Sequence, residues 1–185
     1  MPWASKVDGL LSEEMEEVPD RDSLIDYITD RQPPGAIQSA LTLHMKAMAQ
    51  KDLIDENIKL AFPAVSEGIQ MHHIYPKRWC QNNKTGKLAT LLDEDKAGRD
   101  WVDSTANLMP LSRQSNLLWA DRVPGQMLRE KGINYEHSQA ILRAAFIDKE
   151  CFEYLLEATT HVEEFWQRRA SLIADDLVKR MQIVI

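Results

Sequence analysis

The chain has 185 residues, 44% of them hydrophobic and 28% charged, with a formal net charge of −7. That supports one apolar core, or a core with an appendage, and the acidic balance argues against a simple polyanion binder. No stretch approaches the roughly 18 uninterrupted apolar residues of a membrane span.

The opening MPWASKVDGLLSEEMEEVPD turns acidic at once and lacks the apolar run of a signal peptide. Cys80 and Cys151 lie far apart with no CxxC spacing, so neither a disulfide framework nor a zinc knuckle is expected, and a reducing cytoplasm is the expected location. The charge is unevenly spread. Residues 72–132 hold ten Lys/Arg against seven Asp/Glu, a window of +3, which leaves −10 for the remainder. Phosphate contacts depend on local cations rather than on the average, so the middle of the chain is the expected nucleic-acid face.

In chain order, Ser23 with Asp26 reads as a capping box for a short helix whose apolar stripe is Leu24, Ile25 and Ile28. Pro33-Pro34-Gly35 stops it. A second helix is expected from about Ala36 to Gln50, with Ile37, Ala40, Leu41, Met45 and Met48 inward. Residues 51–68 read as loop with a short turn of helix. Ile69–Ile74 reads as a strand ended by Pro76. Residues 77–106 read as a long polar connection with little structure, a length that is usually functional in a compact domain. Asn107–Leu111 reads as a second strand. Ser112 caps a helix that carries Asn116 and ends before Pro124, which starts another that Gly132 stops. The last third is helical: Asp148 caps a helix with Cys151, Phe152, Leu155 and Leu156 inward. Thr160 with Glu163 begins the longest helix, whose stripe of Val162, Phe165, Trp166, Ile173, Leu177 and Met181 reads as core packing.

The chemistry concentrates in MHHIYPKRWC and STANLMPLSRQSNLLWADRVPG. Phosphodiester hydrolysis needs a base that titrates near neutrality, and histidine suits. It also profits from a divalent cation beside the crowded phosphorus and the leaving oxygen. Adjacent residues of a strand face opposite ways, so one of His72 and His73 can hold a cation while the other reaches water. Asn116, early in the next helix, offers a carbonyl oxygen. A His-His pair alone is a common surface feature. The ordered set with Pro76, Asn107-Leu108, Ser112 and Asn116 is what gives the segment its specificity.

These residues resemble the HNH (ββα-metal) nucleases. In that family a ligand-His pair followed by an apolar residue and proline ends the first strand, as in His72-His73-Ile74-Tyr75-Pro76. An asparagine that ties the intervening loop begins the second strand, here Asn107. A metal-binding Asn or His follows on the helix, here Asn116. The resemblance implies His73 as general base, His72 and Asn116 as metal ligands, and Asn107 as the structural tie that aims His73. The longer phrasing HHIYPK…ANLMPLSRQSN is similar to the C-terminal nuclease domains of GmrSD-like modification-dependent restriction and phage-defence proteins. There a separate nucleotide-binding N-terminal module controls cutting, and this chain has no phosphate-cradling glycine-rich loop.

In relatives with an all-histidine site a further histidine follows one turn on, where this chain has Ala120. Two protein ligands suit Mg²⁺ or Mn²⁺, while His72 leaves room for Ni²⁺ or Zn²⁺. Lys77, Arg78 and Arg113 are candidate phosphate contacts, each equally well read as solvated surface charge. Trp79, Trp101 and Trp119 read as filling around short strands rather than as base-stacking platforms. Leu117 and Leu118 read as packed. Asp121 lies five residues beyond Asn116, off that face; His44, beside an apolar helical stripe, reads as packing or surface, and His137 and His161 show no evident partners.

The expected fold is α+β and mainly helical, with two short antiparallel strands plus a helix embedded in a helical domain. Its segments are 1–35, a ββα core over 36–132, and a helical subdomain over 133–185 packed on that core. The expected function is metal-dependent hydrolysis of DNA, with RNA open. The alternative is a catalytically weak scaffold that binds nucleic acid or a protein partner.

Overall fold

The computed structural model describes residues 19–30, 35–60, 68–93, 101–157 and 160–183. Two helices come first, α1 (Arg21–Thr29) and α2 (Gly35–Met48). Strand β1 (Gln70–His73) is followed by α3 (Lys77–Asn82) and α4 (Gly86–Asp93). A 3₁₀ turn (Thr105–Asn107) leads into β2 (Leu108–Leu111). Five helices complete the chain: α5 (Arg113–Trp119), α6 (Pro124–Glu130), α7 (Tyr135–Ala144), α8 (Lys149–Leu156) and α9 (Val162–Ile183). The fold is mainly helical α+β, as expected from the sequence.

β1 and β2 pair antiparallel, in the register Gln70↔Leu111, Met71↔Pro110, His72↔Met109 and His73↔Leu108. Pro110 is tolerated because in a two-stranded sheet each strand pairs on one side only. α9 is the spine. Phe165, Trp166, Ala170, Ile173 and Ala174 on its inner face are fully buried. It packs against α1, α8 and the 3₁₀ turn. One apolar cluster runs from Leu24 through Tyr75, Trp101 and Trp119 to Ala174, joining all three expected segments. Gly125 lies where α6 meets α8. A Cβ there would stand 2.7 Å from the carbonyl oxygens of Leu155 and Leu156, so only glycine allows the close approach. Among the described residues no helix is long and apolar enough to cross a membrane.

Several expectations need correction. Asp20, not Ser23, caps α1: its carboxylate accepts from the Ser23 N–H, and Ser23 sits in the first turn. Ala40 is exposed, while Leu41 and Met45 carry the buried stripe of α2. Residues 51–60 are loop, and the short turn of helix expected within 51–68 is not among them. They form a turn closed by a single bridge between Lys51 and Lys59, and the buried Asp52 accepts from the backbone of Ile54, Asp55 and Ser112. The connection 77–106 is not structureless, since α3 and α4 occupy much of it, with Cys80, Leu88 and Leu91 inward. The acidic segment 1–18, the proline stop at 33–34 and residues 61–67 lie outside the described residues.

Candidate active site

β1 ends where its two histidines diverge. His72 turns inward and is 5% exposed. His73, on the opposite face, keeps 27% of its side chain exposed. Ser112 caps α5 by accepting from the Ser115 N–H, which starts the helix in a phase that points Asn116 back at β1. His72 Nδ1 and Asn116 Oδ1 lie 2.6 Å apart. The amide of Asn116 is fixed in that orientation because its nitrogen donates to Gln70 Oε1 at 2.5 Å. Gln70 precedes His72 by two positions and shares its face of the strand. The His72 ring lies against Trp119, 4.7 Å between ring centres. Its Nε2 is buried with no hydrogen-bond partner among the described residues.

Burial lowers the His72 imidazole to about 4, against the weaker upward pull of its bond to Asn116. At neutral pH it is therefore uncharged, the form that binds metals. His72 has a folded value below its ordinary 6.5, so folding favours the neutral ring. The associated stability is complete above pH 6.5 and is lost as pH falls from there to about 4. The loss is on the order of 3 kcal/mol. Urea unfolding of metal-free protein at pH 7 and pH 4 checks it: the drop in His72→Gln should be smaller by that amount. Equal drops would mean that burying His72 is not the cause.

Asn107 is wholly buried and fully engaged. Its amide nitrogen donates to the carbonyls of Tyr75 at 3.0 Å and Val102 at 2.8 Å. Its oxygen accepts from the Tyr75 N–H at 2.9 Å and from the Trp166 indole at 3.0 Å. The 3₁₀ turn that holds it is gripped by Arg169 of α9. This guanidinium is fully buried and donates to the carbonyls of Ala106, Leu108, Thr105 and Ala145. Burial lowers it to about 9, and carbonyl dipoles supply its hydrogen-bond partners.

The sequence reading had missed Asp103. His73 Nε2 lies 2.9 Å from its Oδ1, and Lys77 Nζ lies 2.7 Å from its Oδ2. Lys77, read as a phosphate contact, is thus engaged beside His73. Arg78 stands by Asp121 at 3.4 Å, both well exposed. Arg113 is exposed and lines a surface hollow with Gln114, Leu117 and Leu118. The expectation that both leucines pack is wrong: Leu117 is 68% exposed and Leu118 39%. The seven-residue α5 buries Ser115 and Trp119, one turn apart, and turns Leu117 and Leu118 outward. Trp101 and Trp119 are buried and Trp79 leans on Tyr75, in keeping with their reading as filling. His161 has neighbours after all, in Glu157 and Tyr154. His44 sits beside Asp176 and Phe146, and His137 beside Asn134.

Among the described residues no group of three His, Cys, Asp or Glu side chains is placed to hold a metal ion. The available donors are one neutral imidazole and one amide oxygen, aimed at a common point and sharing a single proton. With the imidazole proton moved to Nε2, His72 Nδ1 and Asn116 Oδ1 would be the two atoms to hold a divalent cation, with water and phosphate oxygens left to supply its other ligands. Comparison with protein-family models, with curated proteins and with solved structures gives no match for this chain.

Proposed function

We propose that the chain is a metal-dependent endonuclease of the HNH (ββα-metal) type that hydrolyses DNA phosphodiester bonds. One observation carries the reading. His72 and Asn116, 44 positions apart, converge to 2.6 Å across a strand and a helix, and the partly exposed His73 stands next in the chain. In this reading His72 and Asn116 would hold the cation, Mg²⁺ or Mn²⁺ before Ni²⁺ or Zn²⁺. When bound, the cation supplies charge stabilisation to the pentavalent phosphorus and the leaving oxygen. His73 accepts the proton of the attacking water. Asn107 holds the loop behind it. Arg78 and Arg113 position the strand through its phosphates, which carry no sequence information, while Lys77 is held by Asp103. By resemblance to GmrSD-like restriction and phage-defence proteins, target choice and activation belong to a nucleotide-binding partner module.

Supercoiled plasmid should become open-circular with Mg²⁺ or Mn²⁺ and stay intact with EDTA. Intact plasmid under every divalent cation would sink the reading, and a labelled RNA in the same assay settles the substrate. Both donors are uncharged, so cation binding without DNA should be weak. His72→Ala and Asn116→Ala should each weaken Mn²⁺ affinity, read by titration calorimetry, at least about tenfold. Unchanged affinity in either variant would remove that residue from the ligand set.

A further inference from the structure

Asp103 takes no part in the mechanism just given, yet it is the only carboxylate among the described hydrogen-bond partners of His73. It lies 30 positions along the chain from His73. Its neighbour Val102 is anchored through its carbonyl by Asn107. The carboxylate is 23% exposed and also carries Lys77. Burial pushes the Asp103 carboxyl up, but the hydrogen bonds from Lys77 and His73 together outweigh it and hold the group below its ordinary value. Asp103 is thus charged at neutral pH, and a charged carboxylate only accepts hydrogen bonds. The hydrogen in the contact therefore sits on His73 Nε2, and the ring's lone pair is left on Nδ1.

We propose that Asp103 is the positioning residue of this site: it holds His73 as the Nε2–H form, so that Nδ1 is the nitrogen that takes the proton from water. The catalytic half of this rests on the nuclease reading. The placement of the proton is a property of the free protein. In the step, a water O–H bond breaks and its proton goes to Nδ1, giving an imidazolium whose charge Asp103 balances. The hydroxide oxygen bonds to phosphorus, and the P–O bond to the leaving 3′-oxygen breaks. That oxygen takes a proton from solvent, and His73 returns its extra proton to solvent. Lys77 reaches both carboxylate oxygens, Oδ1 at 2.5 Å and Oδ2 at 2.7 Å, and keeps the group from swinging away. Lys77 is a donor only. In Asp103→Asn it would claim the amide oxygen and turn the amide nitrogen toward His73 Nε2, which selects the wrong, Nδ1–H, form.

The test is a long-range ¹H–¹⁵N spectrum of the metal-free full chain with ¹⁵N-labelled histidine, His73 being assigned by its absence in His73→Gln. Wild type should show the Nε2–H form. Asp103→Asn should show Nδ1–H and lose about 10²–10⁴-fold in kcat for plasmid nicking. Its KM should move less than about threefold, because substrate contacts are untouched. Asp103→Glu should restore the Nε2–H form and part of kcat. A wild-type His73 in the Nδ1–H form overturns the proposal without any variant, and so does an Asp103→Asn protein with wild-type kcat. Cleavage by a chain whose His73 is Nδ1–H defeats this proposal alone. An Nε2–H His73 in a chain that cuts under no cation upholds the placement of the proton and defeats the nuclease reading.

Discussion

His73→Ala is expected to slow plasmid nicking about 10²–10⁴-fold while leaving the fold and cation binding almost unchanged. The size of the effect follows from the chemistry. Without a base, the attacking water must lose its proton to solvent, and no other described imidazole is positioned to replace His73: His72 is buried and engaged with Asn116. The selectivity follows from geometry. His73 is over a quarter exposed, and its recorded side-chain bond is to Asp103, itself partly solvated. Truncation therefore leaves little buried void and no deeply buried unpaired charge. The pair that would hold the cation lies on the other face of β1. Single-turnover cleavage, a thermal melt and Mn²⁺ titration on the same preparation separate the three properties. A rate within a few-fold of wild type would take His73 out of the mechanism.

Asn107→Ala should have the largest effect on stability. The side chain satisfies four groups at once: the N–H and C=O of Tyr75, the Val102 carbonyl and the Trp166 indole. Tyr75 and Trp166 are fully buried, Val102 half-buried, and Asn107 itself has no exposure. Each buried group left without a partner costs about 1–3 kcal/mol, and entry of water and relaxation offset part, so a loss of about 4 kcal/mol is expected. For a chain of this length that lowers Tm by about 10 °C, read by calorimetry without metal. Cleavage should fall too, because Val102 leads into Asp103. Full stability with lost cation binding would mean that Asn107 and Asn116 have exchanged roles.

The site was legible where short-range geometry decides it. Alternation along a strand separates His72 from His73, and a serine cap fixes the phase of the helix that presents Asn116. What stayed hidden depends on contacts across the chain. Gln70 reaches a residue 46 positions away, Trp166 one 59 away and Arg169 one 63 away. No local periodicity encodes such pairings. Only Gln70 carried a readable signal, its place two residues before His72. Asp103 was obscured because its segment reads as polar connection. α3 and α4 are short, and tertiary packing of Cys80, Leu88 and Leu91 sustains them more than any local pattern. The cap of α1 was misplaced because Asp20 and Ser23 both suit an N-cap, and only the observed bond tells which residue uses it. Leu117 and Leu118 show the opposite failure. Apolar character reads as burial, yet a two-turn helix with its inner face already filled by Ser115 and Trp119 has no room for them.

The grip of α9 on the 3₁₀ turn bears on how the proposed site could be transplanted. The ββα unit is contiguous in sequence, from Gln70 to Trp119, and looks like a cassette that could be excised and grafted onto another binding protein. Cutting after Gly132 would strip away the guanidinium that draws in the carbonyls of residues 105, 106 and 108, and with it the indole that closes the last valence of Asn107. Because α9 also packs against α1, and Asp52 takes the Ser112 N–H at the start of α5, the smallest transferable unit runs from α1 through α9, and any fusion is better made ahead of α1 than behind α5.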